Sequence, residues 1–163
     1  MIYSKRLQSY VPVKVESVRY DLKQFGQMTR YIVKDNKISV GTLDVKDTDK
    51  GIKVELIHNM YPELYSGFGK VADQIEVEHC MKRGLQEFEI VSEAALNSHA
   101  LHYLRGKRFY SKTAEEEVKK VIETTPKGEI FKTSFLGRIG MYMPKELIKK
   151  YSEIIKRNPL ILK

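Results

Sequence analysis

Alternating strands in succession, followed by helices that start and stop on glycine, predict a mixed α/β (α+β) fold: a mostly antiparallel sheet flanked by helices. The first observation is that residues 28–34 and 37–46 form two extended runs and 52–58 a third, each of strand length and rich in β-branched and aromatic side chains. The second is the turn chemistry between them, Asp35-Asn36 and Asp47–Gly51, which makes three antiparallel strands the economical reading. The third is a helix over 69–83, with Phe68, Val71, Ala72, Ile75 and His79 on one stripe and Gly84 as its stop.

The remaining elements follow in order. Residues 10–15 alternate around Pro12 and suggest an edge strand. Val15, Val18, Leu22 and Phe25 recur at helical spacing before Gly26, so a short helix is expected over 15–25. Phe88–Val91 reads as a strand. A helix over 95–105 places Leu96, Ala100, Tyr103 and Leu104 on its packing side; Gly106 ends it, and Lys107 and Arg108 suit the negative end of its dipole. Thr113 and Glu116 have capping-box spacing ahead of Val118 and Val121, which predicts another helix. Residues 129–143 alternate with breaks at Gly137 and Gly140 and read as a bent strand. Pro144 opens a last helix, with Leu147, Ile148, Tyr151, Ile154 and Ile155 as its apolar face. No repeat or linker interrupts the chain, so residues 1–163 are expected to form one domain.

Composition narrows the function classes. Hydrophobic content of 42% and charged content of 31% are ordinary for a soluble globular chain. No apolar run approaches the ~18 residues of a spanning helix, and the N-terminus lacks the apolar core of a signal peptide. Cys80 is the single cysteine, which excludes an internal disulfide and points to a reducing, cytoplasmic setting. The net charge of +8 attracts anions, but Lys145, Lys149, Lys150, Lys156 and Arg157 read as the wet face of the last helix. Nucleic acid stays possible without support from any arginine-rich arm or aromatic-basic motif.

The stretch from 61 to 109 carries the chemistry. Leu64-Tyr65-Ser66-Gly67-Phe68-Gly69-Lys70 is a Gly-x-Gly turn opening a helix, a way to present backbone amides to phosphate oxygens. Further on, Asn97, Ala100, Tyr103 and Phe109 recur at fixed spacing on and after a helix. In this order the two segments resemble the cofactor-binding half of the GNAT acyltransferase superfamily. The turn resembles that family's Q/R-x-x-G-x-G/A, with Leu64 at the Gln/Arg position. The later segment resembles N-x-x-A-x-x-F/L-Y-x-x-x-G-F, with Leu104 at the Tyr position and Arg108 at the Gly. The likeness spans about 28–110, with the family's first two helices shortened to one, and leaves 111–163 as an atypical helix-strand-helix extension.

The resemblance implies an acyl-CoA-dependent N-acyltransferase, with acetyl-CoA or another acyl-CoA wedged between two splayed strands and a primary amine as acceptor. Its cofactor contacts fall on Asn59, Met60, Tyr61, Gly67, Phe68, Gly69, Lys70 and Asn97, with a backbone amide near 59–61 as oxyanion donor. Glu55 is the candidate general base. His58, three residues on, is expected on the opposite strand face. Tyr103 is the nearest phenol to act as acid. A degenerate GNAT-like binding module is the alternative, a basic nucleic-acid-associated protein a third, and a homodimer is left open. His99, His102, His79 and Cys80 show no metal-ligand spacing, so no metal is expected.

Overall fold

Period-two patterning runs further toward the N-terminus than expected. The computed structural model describes residues 1–24, 26–94, 98–133 and 138–161. Two short strands, β1 (Ile2–Ser4) and β2 (Ser9–Val11), come first. An antiparallel meander follows: β3 (Lys14–Leu22), β4 (Gly26–Asp35), β5 (Ile38–Asp47) and β6 (Gly51–Asn59). β3 overturns the helix expected over 15–25. Its residues pair one for one with β4, from Lys14↔Lys34 to Leu22↔Gly26, because a tight hairpin leaves no room for a helix between the two strands. Phe25 of the expected stripe lies outside the described residues.

β7 (Tyr65–Ser66) leads into α1 (Phe68–Lys82). Then come β8 (Glu89–Ala94), α2 (His99–Leu104), β9 (Arg108–Phe109), α3 (Lys112–Thr124), β10 (Ile139–Tyr142) and α4 (Lys145–Arg157). The large sheet has the order β3-β4-β5-β6-β8-β10-β9, and a small one the order β2-β1-β7. Among the described strands of the large sheet β6 and β8 pair in parallel and the other pairs are antiparallel; Ile161 adds an isolated parallel bridge to Val15 of β3.

Cross-strand partners share a face, which fixes the layers. Tyr31 pairs with Leu43, Val45 with Val54, Ile52 with Ile90 and Ser92 with Met141. This face carries the main core, Val33, Leu43, Ile52 and Ile90 against Val71, Ala72 and Ile75 of α1 and Tyr151 and Ile155 of α4. It also carries a second cluster of Ala100, Phe109, Ala114, Val118 and Met141. The opposite face shows Glu16, Val18, Tyr20, Arg30, Lys53, Leu56 and His58, all half-buried or exposed.

Two helix readings need correction. α3 is capped by Ser111, whose Oγ accepts from Ala114 N at 3.2 Å, so Thr113 lies within the helix. Leu104, expected on the packing side of α2, is exposed because that helix buries Ala100 and His102 instead. Leu96 lies outside the described residues, as do 134–137 in the expected bent strand, of which β10 is the described strand. α4 exposes its five cations as expected.

Candidate active site

The site begins where strand pairing stops. β6 and β8 share register only from Gly51↔Glu89 to Val54↔Ser92, while β6 continues to Asn59. The cause is a bulge: Val45 pairs with Val54 but Asp44 with Leu56, so Glu55 is an extra residue that bends β6 away. Beyond it, residues 55–59 have β5 on one side and no paired strand on the other among the described residues. A cleft of about 380 Å³ opens there, bounded by Phe68 and Gly69 of α1, Ser92 of β8, and His102 and Arg105 at the end of α2.

Each boundary has a local reason. Gly67 takes φ +91° as the N-cap of α1, a conformation costly for any residue with a Cβ. No side chain caps this terminus; Lys70 N donates to Gly67 O at 3.1 Å, which leaves the amides of Phe68 and Gly69 available beside the cleft. A Cβ on Gly67 would meet nothing within 4 Å, whereas one on Gly69 would come within 2.7 Å of the Arg105 guanidinium. A side chain at 69 would have to push the Arg105 guanidinium out of its bonds to Asp73 and His102, and Gly67 is favoured by its backbone angle.

Behind the cleft lies a charged network that sequence reasoning missed. Lys107 is fully buried and its ammonium donates to both Glu76 oxygens, at 3.1 and 2.9 Å, and lies 3.3 Å from Asp73. Arg105 Nε donates to Asp73 Oδ2 at 2.8 Å and Nη2 to His102 Nδ1 at 2.8 Å. Burial opposes the Lys107 charge, but Glu76 and Asp73 outweigh it and hold the ammonium above its usual pKa. Burial would likewise raise Asp73, yet Lys107 and Arg105 keep it below the usual range; burial wins at Glu76 and raises it. Burial, reinforced by Lys107 and Arg105, pushes His102 down to about 3, so its ring is neutral and accepts from Arg105. Lys107 thus does not complement the α2 dipole from solvent, as its place after Gly106 suggested. The available signal was Asp73 and Glu76 three apart on the buried face of α1.

The expected site residues separate into two groups. Glu55, Asn59, Phe68 and Gly69 line the cleft. Glu55 Oε1 lies 3.6 Å from Lys53 Nζ, which is 3.7 Å from Glu93 of β8, so Lys53 links the splayed strands. Gly67 adjoins the cleft as the cap, and Lys70 is exposed. His58 pairs with Thr42 and is exposed outside the cleft. The bulge shifts the alternation, so His58 shares the open sheet face with Lys53, the ion-pair partner of Glu55. Met60 N donates to Val40 O at 2.9 Å and Tyr61 N to Asn59 Oδ1 at 3.3 Å, so two of the three amides in the expected oxyanion stretch 59–61 already have acceptors. Tyr103 stacks on Phe109 at 6.3 Å, with the Arg108 guanidinium 4.6 Å from its ring, in the second core cluster rather than the cleft. Asn97 lies outside the described residues. His99 and His102 bond to Thr133 and Arg105 respectively.

This strand order, with the parallel β6–β8 pair opening around a cleft beside a helix N-terminus, is the GNAT fold. Several solved structures resemble it, two of them as follows. An IAA acetyltransferase from Bacillus cereus superposes with a TM-score of 0.52 at 17% identity, covering 81% of this chain and 99% of its own. A Bacillus subtilis acetyltransferase in complex with CoA gives 0.54 at 13% identity, covering 81% and 98%. No protein-family model and no curated protein matches the sequence.

Proposed function

We propose that the cleft binds an acyl-CoA and that the chain transfers its acyl group to a primary amine. The observation that carries this reading is the splay of β6 from β8 at the Glu55 bulge, against the uncapped N-terminus of α1. The residues present fit such a group. Ser92 Oγ is buried without a hydrogen-bond partner among the described residues, a donor and acceptor awaiting a polar arm. The unpaired side of β6 suits an extended, amide-bearing chain. Open space over Gly67 admits phosphate oxygens to the first-turn amides.

When bound, the acyl-CoA supplies an activated thioester. Glu55, 27% exposed at the cleft wall, takes a proton from the incoming ammonium directly or through one water. Lys53, which also pairs with Glu93 across the gap between the strands, positions the Glu55 carboxylate. The open sheet face beside Glu55 gives the acceptor its approach. With acetyl-CoA and a panel of primary amines, thiol release should follow amine acylation. Glu55→Gln should slow it about 100-fold with little change in CoA affinity; equal rates for the two proteins would remove Glu55 from the chemistry.

A second reading, CoA binding without transfer, draws on one observation: no tyrosine lines the cleft among the described residues. CoA binding with no acylated amine by mass spectrometry would favour it.

A further inference from the structure

We propose that Arg105 is the phosphate-binding cation of the cleft, supplying from the end of α2 the positive charge that the turn before α1 lacks. This rests on the acyl-CoA reading above. The turn itself offers little charge at the cleft: Leu64 is apolar and Lys70 is exposed, neither among the lining residues. Arg105 lines the cleft with its guanidinium against Gly69, the second residue of α1.

Three features make this a built site. The guanidinium is held in place, through Nε by Asp73 and through Nη2 by the neutral His102, each at 2.8 Å. Nη1 has no hydrogen-bond acceptor among the described residues and lies beside the Gly69 backbone. A cation at a helix N-terminus opposes the helix dipole, an arrangement that an anionic ligand relieves because amides and guanidinium then share one acceptor. Independently, the Ser92 hydroxyl is buried and unpartnered in the wall of the same cleft. Side-chain exposure of 17% leaves Arg105 reachable. Glycine at 69 is what lets the guanidinium and the amides converge, since any Cβ would displace it.

The test is calorimetric titration with CoA, with acetyl-pantetheine, which carries no phosphate, and with inorganic pyrophosphate. Wild-type protein should bind all three, and CoA and pyrophosphate should weaken with rising salt. Arg105→Gln should lose about tenfold to a hundredfold in CoA and pyrophosphate affinity and keep its acetyl-pantetheine affinity. Because that change strips a cation from buried Asp73, the double variant Arg105→Gln/Asp73→Asn provides a charge-balanced fold and should show the same selective loss. Unchanged or tighter CoA binding in a folded variant, or equal loss for CoA and acetyl-pantetheine, would overturn the assignment. Wild-type binding of pyrophosphate but not CoA would remove the acyl-CoA reading and leave the phosphate site standing. Binding of acetyl-pantetheine but not pyrophosphate would do the reverse.

Discussion

The two ends of α1 both bury acids, yet they treat them differently. At the C-terminal end the buried Glu78 and His79 side chains are paired among the described residues. Glu78 accepts from the backbone N–H groups of Leu160 and Ile161 at 2.8 and 3.0 Å, docking the chain end. His79 accepts from the Tyr31 hydroxyl through Nδ1 and donates to Asp47 through Nε2, each at 2.6 Å. Lys82 donates to the carbonyl of Ile161 and Arg83 to those of Gly51 and Thr48, so the cations of the last turn close the network. At the N-terminal end Asp73 and Glu76 hold Lys107 and Arg105, but an edge of Arg105, the first-turn amides and Ser92 remain open toward the cleft. A network whose buried groups are paired fixes a fold; one that leaves a guanidinium edge, amides and a hydroxyl unpaired beside a cleft prepares a site.

Substitutions can break or sharpen that contrast. The largest effect should come from Lys107→Met, which leaves two buried carboxylates without their central cation. Loss of one partner from a buried ionic cluster costs about 3–5 kcal/mol, so denaturant unfolding should show a large fall in midpoint.

Next in size is the pH response of His102. Its folded pKa is lowered from 6.5 to about 3, so the unfolded chain binds a proton first as pH falls. The stability His102 contributes is present above pH 6.5 and lost as pH drops toward 3. By pH 4.5 the loss should be about 2–3 kcal/mol. His102→Gln, which keeps an acceptor for Arg105, should lack that component; parallel pH profiles for the two proteins would contradict it.

At the closed end, Glu78→Gln should cost about 1–3 kcal/mol and speed amide exchange at Leu160 and Ile161 while leaving CoA affinity unchanged. Smallest is Ser92→Ala. With no hydrogen bond to lose among the described residues, stability should stay within about 0.5 kcal/mol, while CoA affinity drops about threefold to tenfold. A destabilisation as large as that of Glu78→Gln would mean that Ser92 has a structural partner and that the two ends are alike.

The same contrast explains what was legible in the sequence. α1 could be read because glycines punctuate it and its apolar stripe keeps period. The hairpin at Asp35-Asn36 could be read from turn chemistry; Asn36 takes φ +52° there. β3 is disguised in the sequence because Val15, Val18 and Leu22 happen to fall at helical spacing, while Ser17 and Arg19 on the helix-bearing face are polar and break the alternation. β1, β7 and β9, of two or three residues each, are too short to show a period. The glycine turn and Glu55 pointed to the cleft, but its cation did not, because Arg105 meets Asp73 across 32 residues and Lys107 meets Glu76 across 31. Nothing local marks such a pair. The Glu55 bulge, which opens the cleft and shifts His58, is likewise a property of pairing rather than of any one segment.

The central claim is that the open end of α1 faces an acyl-CoA. Thermal unfolding with acetyl-CoA tests it most directly, since a ligand at a hundred times its Kd adds about 2.7 kcal/mol to the folded state. For a chain of this size the melting temperature should rise by roughly 5–10 °C. Gly67→Asp, which places a carboxylate at the phosphate position, should abolish the rise. No shift at millimolar acetyl-CoA, or an equal shift in Gly67→Asp, would contradict the account.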